Sequence, residues 1–173
     1  FPGSATGIAV QNDGKIVAVG SMESDFAVAR YNSNASLDTT FDGDGRITTD
    51  LSGSDTAYAV AIQPDFKIVA AGGCSGSICL ARYNSNGSLD TAFDGDGKVI
   101  TDLPNGQGGN DIVIQPDGKI VIVGTNFSGP LTDDFFVARY NPNGSLDTTF
   151  NTTGFVITPL LGGDVAYAVA LQS

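Results

Sequence analysis

Short apolar runs separated by polar turns recur along the whole chain, and they predict β-strands. Residues 58–63 and 67–72 are two such runs, and they flank the turn Pro64-Asp65-Phe66. A brief polar break between two apolar runs is a hairpin signal, and the sister copies of this turn contain Asp-Gly. Further strands are expected at 78–84, at 88–93 after an Asn-Gly turn, and at 98–103. The pattern therefore predicts a meander of about four antiparallel strands.

The strand pattern is repeated. An anchor glutamine recurs with spacings of 52, 52 and 57 residues, and an arginine recurs with spacings of 52 and 57. The glutamines are Gln11, Gln63, Gln115 and Gln172, and the arginines are Arg30, Arg82 and Arg139. The extra residues of the third copy lie in 125–136, between two predicted strands, where a surface loop absorbs an insertion.

About four antiparallel strands repeated every fifty or so residues are typical of β-propeller blades. We therefore expect an all-β fold with three blades, at approximately 1–55, 56–108 and 109–164, and the first strand of a fourth at 165–173. A β-solenoid is the alternative, but solenoid coils are usually shorter and lack such hairpin turns.

The motifs carry a family resemblance. The combination IQPDGKIVIVG, at 114–124, with FFVARYNPNGSLDTTF, at 135–150, resembles the delta-60 repeat of large bacterial secreted and surface proteins. It is more weakly similar to NHL-type blades. The resemblance covers nearly all of the chain and implies a propeller of bacterial, extracytoplasmic origin. It brings no shared catalytic residues.

Composition narrows the function classes. The 173 residues include 8 basic and 19 acidic side chains, no His and 23 Gly, for a net charge of −11. All acidic residues except Glu23 are Asp, which favours turns over helices. Without His there is no Ser-His-Asp or Cys-His relay. The negative charge argues against nucleic-acid binding, and no apolar run is long enough to predict a transmembrane segment.

The repeated arginines have repeated partners. Asp38, Asp90 and Asp147 follow Arg30, Arg82 and Arg139 by eight residues in every copy. A residue required once per blade is more simply structural than functional. Because a guanidinium offers five donors in a fixed fork, we expect these pairs to stabilise each blade or the junctions between blades.

Four aspartates in Gly-interleaved loops are candidate metal ligands: Asp42, Asp44, Asp94 and Asp96. Loops that supply only oxygen ligands suit Ca²⁺, so calcium is the one cofactor that the sequence suggests. The spacing is not that of an EF-hand, and the third copy has Asn151-Thr152-Thr153-Gly154 instead. Plain turn chemistry explains the same residues.

The two cysteines occur only in the second copy. Cys74 and Cys79 bracket a predicted hairpin tip. Cross-strand neighbours there would be close enough for a disulfide, which fits an oxidising compartment; buried free thiols are the alternative.

Features that break the repeat are candidates for partner contact. Phe66 replaces a turn glycine, so we expect its ring at a loop tip. Phe127, Asp133 and Asp134 belong to the inserted segment of the third copy, where recognition specific to that copy is expected.

The chain as a whole is interpreted as a non-enzymatic extracellular structural or binding module of a larger surface or secreted assembly. A carbohydrate- or peptide-binding propeller and a calcium-dependent hydrolase or lyase are the alternatives. Three copies are too few for the four to eight blades of a closed ring. The expected partners are therefore other copies of the chain or the remaining blades of a longer protein.

Overall fold

The computed structural model describes residues 3–104, 107–127, 133–160 and 162–172, which form strands and turns and no helix. Twelve strands make three four-stranded sheets, each an antiparallel meander in chain order. Blade 1 contains β1 (Gly3–Val10), β2 (Ile16–Met22), β3 (Asp25–Tyr31) and β4 (Arg46–Thr49). Blade 2 contains β5 (Asp55–Ile62), β6 (Ile68–Cys74), β7 (Ser77–Tyr83) and β8 (Lys98–Thr101). Blade 3 contains β9 (Gln107–Ile114), β10 (Ile120–Asn126), β11 (Asp134–Tyr140) and β12 (Phe155–Thr158).

The all-β propeller architecture predicted from the repeats is confirmed, and its sheets do not close into a ring. The first strands β1, β5 and β9 lie side by side and form the inner edge of the three blades. Each inner strand pairs with the second strand of its own blade, and each of these pairings contains a β-bulge. In blade 2 the bulge lies between Ala57 and Ala59, opposite β6. A bulge increases the local twist, which suits a strand that must turn along the inner edge.

Two apolar clusters hold the blades together. One lies between blades 1 and 2 and includes Phe26, Phe41 and Tyr83. The other lies between blades 2 and 3 and includes Phe93, Phe136 and Tyr140. All six side chains are fully buried, so most of the core consists of contacts between sheets rather than within them.

The same hydrogen bonds cross both junctions. The Tyr83 hydroxyl and the Thr49 hydroxyl are 2.7 Å apart, and the equivalent oxygens of Tyr140 and Thr101 are 2.9 Å apart. One backbone bond is also repeated at each junction, from Asp42 N–H to the Asn86 carbonyl and from Asp94 N–H to the Asn143 carbonyl, both at 2.8 Å. The blade junction is therefore one interface formed twice.

Two predicted strands differ from the structure. In the stretch 88–93 only Leu89 forms a β-bridge, to Tyr83. The chain turns after Leu89, so that the Asp90 carboxylate accepts a hydrogen bond from Arg82. Residues 162–172 carry no strand assignment, since no second strand pairs with them among the described residues. They still lie against blade 3, because Asn110 donates its side-chain amide to the Ala166 carbonyl at 3.0 Å.

No described segment is a helix with the length and apolar character needed to cross a lipid bilayer.

Candidate functional site

The turns at one end of the inner strands enclose a cavity of about 490 Å³, here called the axial cavity. Each blade contributes the end of its inner strand and the turn that follows. Three of the four anchor glutamines, Gln11, Gln63 and Gln115, line it. The other lining residues include Val10, Ile62, Ile114, Pro64, Pro116 and Phe66. In every blade the glutamine backbone closes the turn, as in the 2.9 Å bond from Phe66 N–H to the Gln63 carbonyl.

The three glutamines of the axial cavity have unpaired amide oxygens. The Oε1 atoms of Gln11, Gln63 and Gln115 are all buried and have no hydrogen-bond partner. A buried polar atom without a partner costs free energy, and this one recurs at the same place in three blades. In the sequence these glutamines were interpreted only as markers of the repeat, although their recurrence at a strand end was a signal for a shared site.

Phe66 lies at the rim of the axial cavity and is 39% exposed. Its φ of +65° is close to those of Gly14 and Gly118, +83° and +82°, at the same turn of the sister blades. The turn is thus kept and the phenylalanine adopts a glycine conformation. Its ring stands at a loop tip, and its role in partner contact remains a prediction.

The second repeated site is a cation–carboxylate cluster in each blade. In blade 2, Arg82 Nε donates to Asp90 Oδ2 at 2.7 Å, and Lys67 Nζ lies 3.3 Å from the same oxygen. The Arg82 guanidinium stacks 4.4 Å from the centre of the Phe93 ring and also donates to the Pro142 carbonyl in blade 3. Blade 1 repeats the cluster with Arg30, Asp38, Lys15 and Phe41, and blade 3 with Arg139, Asp147, Lys119 and Phe150.

The cluster aspartates are held in the ionised form. Burial acts to raise the pKa of Asp38, but hydrogen bonds from Lys15, Thr40 and Arg30 outweigh it and hold that pKa well below its usual range. For Asp147, hydrogen bonds from Thr149 and Lys119 dominate and lower the pKa. The pKa of Asp90 is also lowered, against the effect of burial, by Ala92 N–H and by the charge of Arg82. A carboxylate held ionised in this way has no proton to donate at neutral pH, and the structural role expected for these pairs stays a prediction.

Stability should therefore fall in acid. A carboxyl whose pKa is lower in the folded than in the unfolded state stabilises the fold fully above its unfolded pKa, near 4, and loses that contribution as pH falls further. We expect the midpoint of thermal unfolding to be nearly constant from about pH 7 to pH 5 and to decrease steadily below about pH 4. Calorimetric scans across that range measure it. A midpoint that stays level down to pH 2 would contradict this role of the aspartates.

Comparisons with known proteins agree with this geometry. The family model described as "Domain of unknown function (DUF5122) beta-propeller" matches residues 11–41, 63–93 and 115–150, which is more than half of the chain. The chain belongs to the DUF5122 beta-propeller family. Each matched range begins at an anchor glutamine and includes the Arg–Asp pair of its blade.

Among solved structures, the chain is similar to selenomethionine-substituted virginiamycin B lyase from Staphylococcus aureus, with 13% sequence identity and a TM-score of 0.48. The alignment covers 80% of this chain and 42% of the lyase, so the DUF5122 chain spans less than half the length of that protein. No curated protein gives a significant match.

The cysteines of this DUF5122 propeller form a disulfide. Cys74 ends β6 and Cys79 lies within β7, with their Cα atoms 5.8 Å apart. Both side chains are buried in the cluster between blades 1 and 2, where the first copy has Met22 and Ala27. The bond therefore joins neighbouring strands inside the core of a blade junction.

The structure does not gather the predicted metal ligands into one group. Asp44 Oδ1 accepts from Arg46 N–H at 2.8 Å and Asp96 Oδ1 from Lys98 N–H at 2.9 Å, so both cap turns. Asp42 and Asp94 instead form the backbone bonds across the blade junctions. Calcium binding by these four residues stays a prediction.

A different group of three acidic side chains lies where blades 1 and 2 meet. Carboxylate oxygens of Asp25, Asp50 and Asp55 lie within 4.8 Å of one another, and such oxygens are ligands that Ca²⁺ accepts. Burial, followed by the charges of Asp50 and Asp55, raises the pKa of Asp25. This group could not be predicted from the sequence because its members come from three strand ends in two blades.

The inserted segment of the third copy is described in part. Phe127 is 56% exposed just after β10, while residues 128–132 lie outside the described residues. Asp134 begins β11, and the carbonyl of Asp133 accepts a 2.7 Å bond from Asp164 N–H. Part of the predicted recognition loop thus anchors residues 162–172. Partner contact by Phe127, Asp133 and Asp134 stays a prediction.

Proposed function

We propose that this chain is a non-enzymatic structural or binding module whose three blades form part of a larger propeller assembly outside a bacterial cell. One observation carries the proposal. Blade 1 and blade 3 each have one face that resembles the surfaces buried between blades but is not covered by a neighbouring blade, and these two faces are called the open halves of the interface. The resemblance to the delta-60 repeat and the buried Cys74–Cys79 disulfide favour the extracytoplasmic compartment.

The first open half is the leading face of blade 1, which includes Ala18, Ala27, Ala29 and Tyr31 and contains a groove of about 500 Å³. In blades 2 and 3 the equivalents of Ala29 are Ala81 and Ala138, and both are fully buried against the preceding blade. The leading face of blade 1 therefore has the composition of a covered surface.

The second open half is the trailing face of blade 3, which includes Phe135, Val137, Phe150 and Leu160. These side chains are half-buried or exposed, and Leu160 is 58% exposed. Their equivalents in blade 2 are buried against blade 3, namely Ile78, Leu80, Phe93 and Leu103. An apolar face of this kind favours association.

The polar groups of the two open halves are complementary. Among the described residues, the Tyr31 and Thr158 hydroxyls have no hydrogen-bond partner, yet they occupy the positions of Tyr83 and Thr49 at a formed junction. Within the described part of the chain, Arg139 also has no equivalent of the inter-blade bond that Arg82 makes to a carbonyl. A blade that followed blade 3 would supply the missing carbonyl and tyrosine, so the expected occupant of each face is another blade of this repeat.

Ala29→Glu tests the proposal. The wild-type chain should associate in solution at micromolar concentration, while the variant should remain a folded monomer because a charge on the leading face opposes docking. Light scattering after size-exclusion chromatography gives the mass, and circular dichroism verifies the fold. Thr39→Glu adds the same charge at an exposed turn position and should associate like the wild type.

The result that would contradict the proposal is a wild-type chain that remains a stable monomer of 17.7 kDa at every concentration. Association that Ala29→Glu leaves unchanged would exclude the leading face as the docking surface.

A further inference from the structure

We propose that the axial cavity binds a neutral carbohydrate, a ligand that offers several hydroxyl groups and an apolar ring face. Three blades of a single chain already line this cavity. Its volume of about 490 Å³ is within the range of small-ligand sites.

The unpaired glutamines are the first argument. Gln11 is only 4% exposed, and its Oε1, like those of Gln63 and Gln115, has no hydrogen-bond partner. These oxygens are buried from solvent as well as unpaired, so they do not face the open cavity in this orientation. Half a turn about the last side-chain bond places the amide oxygen where the nitrogen now lies, so the accessible end of each amide is either a donor or an acceptor. A hydroxyl group both donates and accepts, which makes it a suitable partner for either orientation.

The arrangement of the glutamines favours a ring over a linear ligand. The three amides come from equivalent positions of three successive blades and are therefore distributed around the cavity wall. A pyranose carries hydroxyls around its circumference and can reach several of them together. An extended peptide presents its backbone groups along a line and uses an open sheet edge or groove instead.

The absence of charge from the wall excludes ionic ligands. None of the described residues that line the cavity is Asp, Glu, Lys or Arg. A divalent cation usually takes carboxylates among six to eight oxygen ligands, so it would lack charge compensation here. An anion would also meet the −11 net charge of the chain.

Phe66 is the second, independent argument. Its positive φ is unfavourable for any residue with a Cβ, and both sister turns have glycine at this position. Strained residues persist where the surrounding structure or a function maintains them. Here the strain places an aromatic ring at the rim, beside Pro64, where it can stack on the apolar face of a sugar.

The experiment is a titration of the ¹⁵N-labelled chain with three neutral trisaccharides, maltotriose, cellotriose and N,N′,N″-triacetylchitotriose, followed by NMR. At least one of the three should shift the side-chain amide signals of Gln11, Gln63 and Gln115 in a saturable way. A proline-rich peptide is titrated in parallel. Saturable shifts by the peptide alone, or no shift of the three amides by any trisaccharide at millimolar concentration, would overturn the inference.

Two variants separate binding from folding. Phe66→Gly restores the residue of the sister turns, and Gln63→Leu replaces an unpaired buried amide by an apolar group of similar shape, so both should fold at least as stably as the wild type. Each should weaken trisaccharide binding at least tenfold. Ile100→Ala removes an exposed apolar side chain away from the cavity and should leave the affinity unchanged. Wild-type affinity in both cavity variants would overturn the assignment of the site.

Discussion

Replacing Asp90 with alanine should lower the free energy of unfolding by about 3–5 kcal/mol, because it leaves the buried Arg82 charge without its carboxylate. The two side chains are 9% and 6% exposed, so water cannot take the place of Asp90. Lys67, 3.3 Å from the same oxygen, loses one of its two carboxylate partners and keeps the exposed Asp65. Urea denaturation followed by circular dichroism measures the loss, provided that the transition remains cooperative.

Asp147→Ala is the matched control for this prediction. It removes the same partner from Arg139, but the side chain of Arg139 is 22% exposed at the open trailing face of blade 3. Water can solvate that guanidinium, so the expected loss is only about 1–2 kcal/mol. Equal losses for the two variants would show that burial does not determine the strength of the cluster.

Gly72→Ala is expected to be at least as damaging, with a loss of about 3 kcal/mol or more. An added Cβ at Gly72 would lie 1.9 Å from the Thr56 carbonyl oxygen and 2.8 Å from Ala57 Cα, which are both backbone atoms. Relief would require moving the inner strand β5 at its bulge, where it also packs on its neighbours β1 and β9. The expected observation is a chain that fails to fold cooperatively or unfolds at much lower temperature.

Gly163→Ala is the control for the glycine prediction. Nothing lies within 4 Å of an added Cβ at that position, and its φ is not in the left-handed region. Its thermal midpoint should match that of the wild type. A wild-type midpoint for Gly72→Ala would mean that the inner strand yields easily at the bulge.

The repeat made the architecture predictable, because strand periodicity and turn residues are local properties of the chain. Hairpins at Asp13-Gly14 and Asp117-Gly118 need only their own neighbours in sequence. The pairing of Arg82 with Asp90 is also local, since a single turn joins them. The constant spacing of eight residues was therefore a sufficient signal.

Features that depend on the packing of blades were beyond sequence reasoning. Leu89 was expected in a strand, but the return of the chain towards Arg82 allows only one bridge there. Asp25, Asp50 and Asp55 meet because blade 2 begins where blade 1 ends, and the second copy has Ser77, Asp102 and Gln107 at these positions. The third copy has Asp134, Pro159 and Asp164, so all three acidic residues occur together only at the first junction and give no repeated signal.

The polar contacts shared by the two blade junctions have a consequence for the route of folding. The contacts from Tyr83 to Thr49 and from Tyr140 to Thr101 are chemically interchangeable, so these hydrogen bonds do not distinguish the correct neighbouring blade from an incorrect one. The order of blades is then set by the short connections between them. Collapse can transiently dock a blade on the wrong neighbour, and escape from such a state requires undocking. We expect a slow refolding phase in the three-blade chain. We expect that phase to become faster in a truncated chain that contains only two blades.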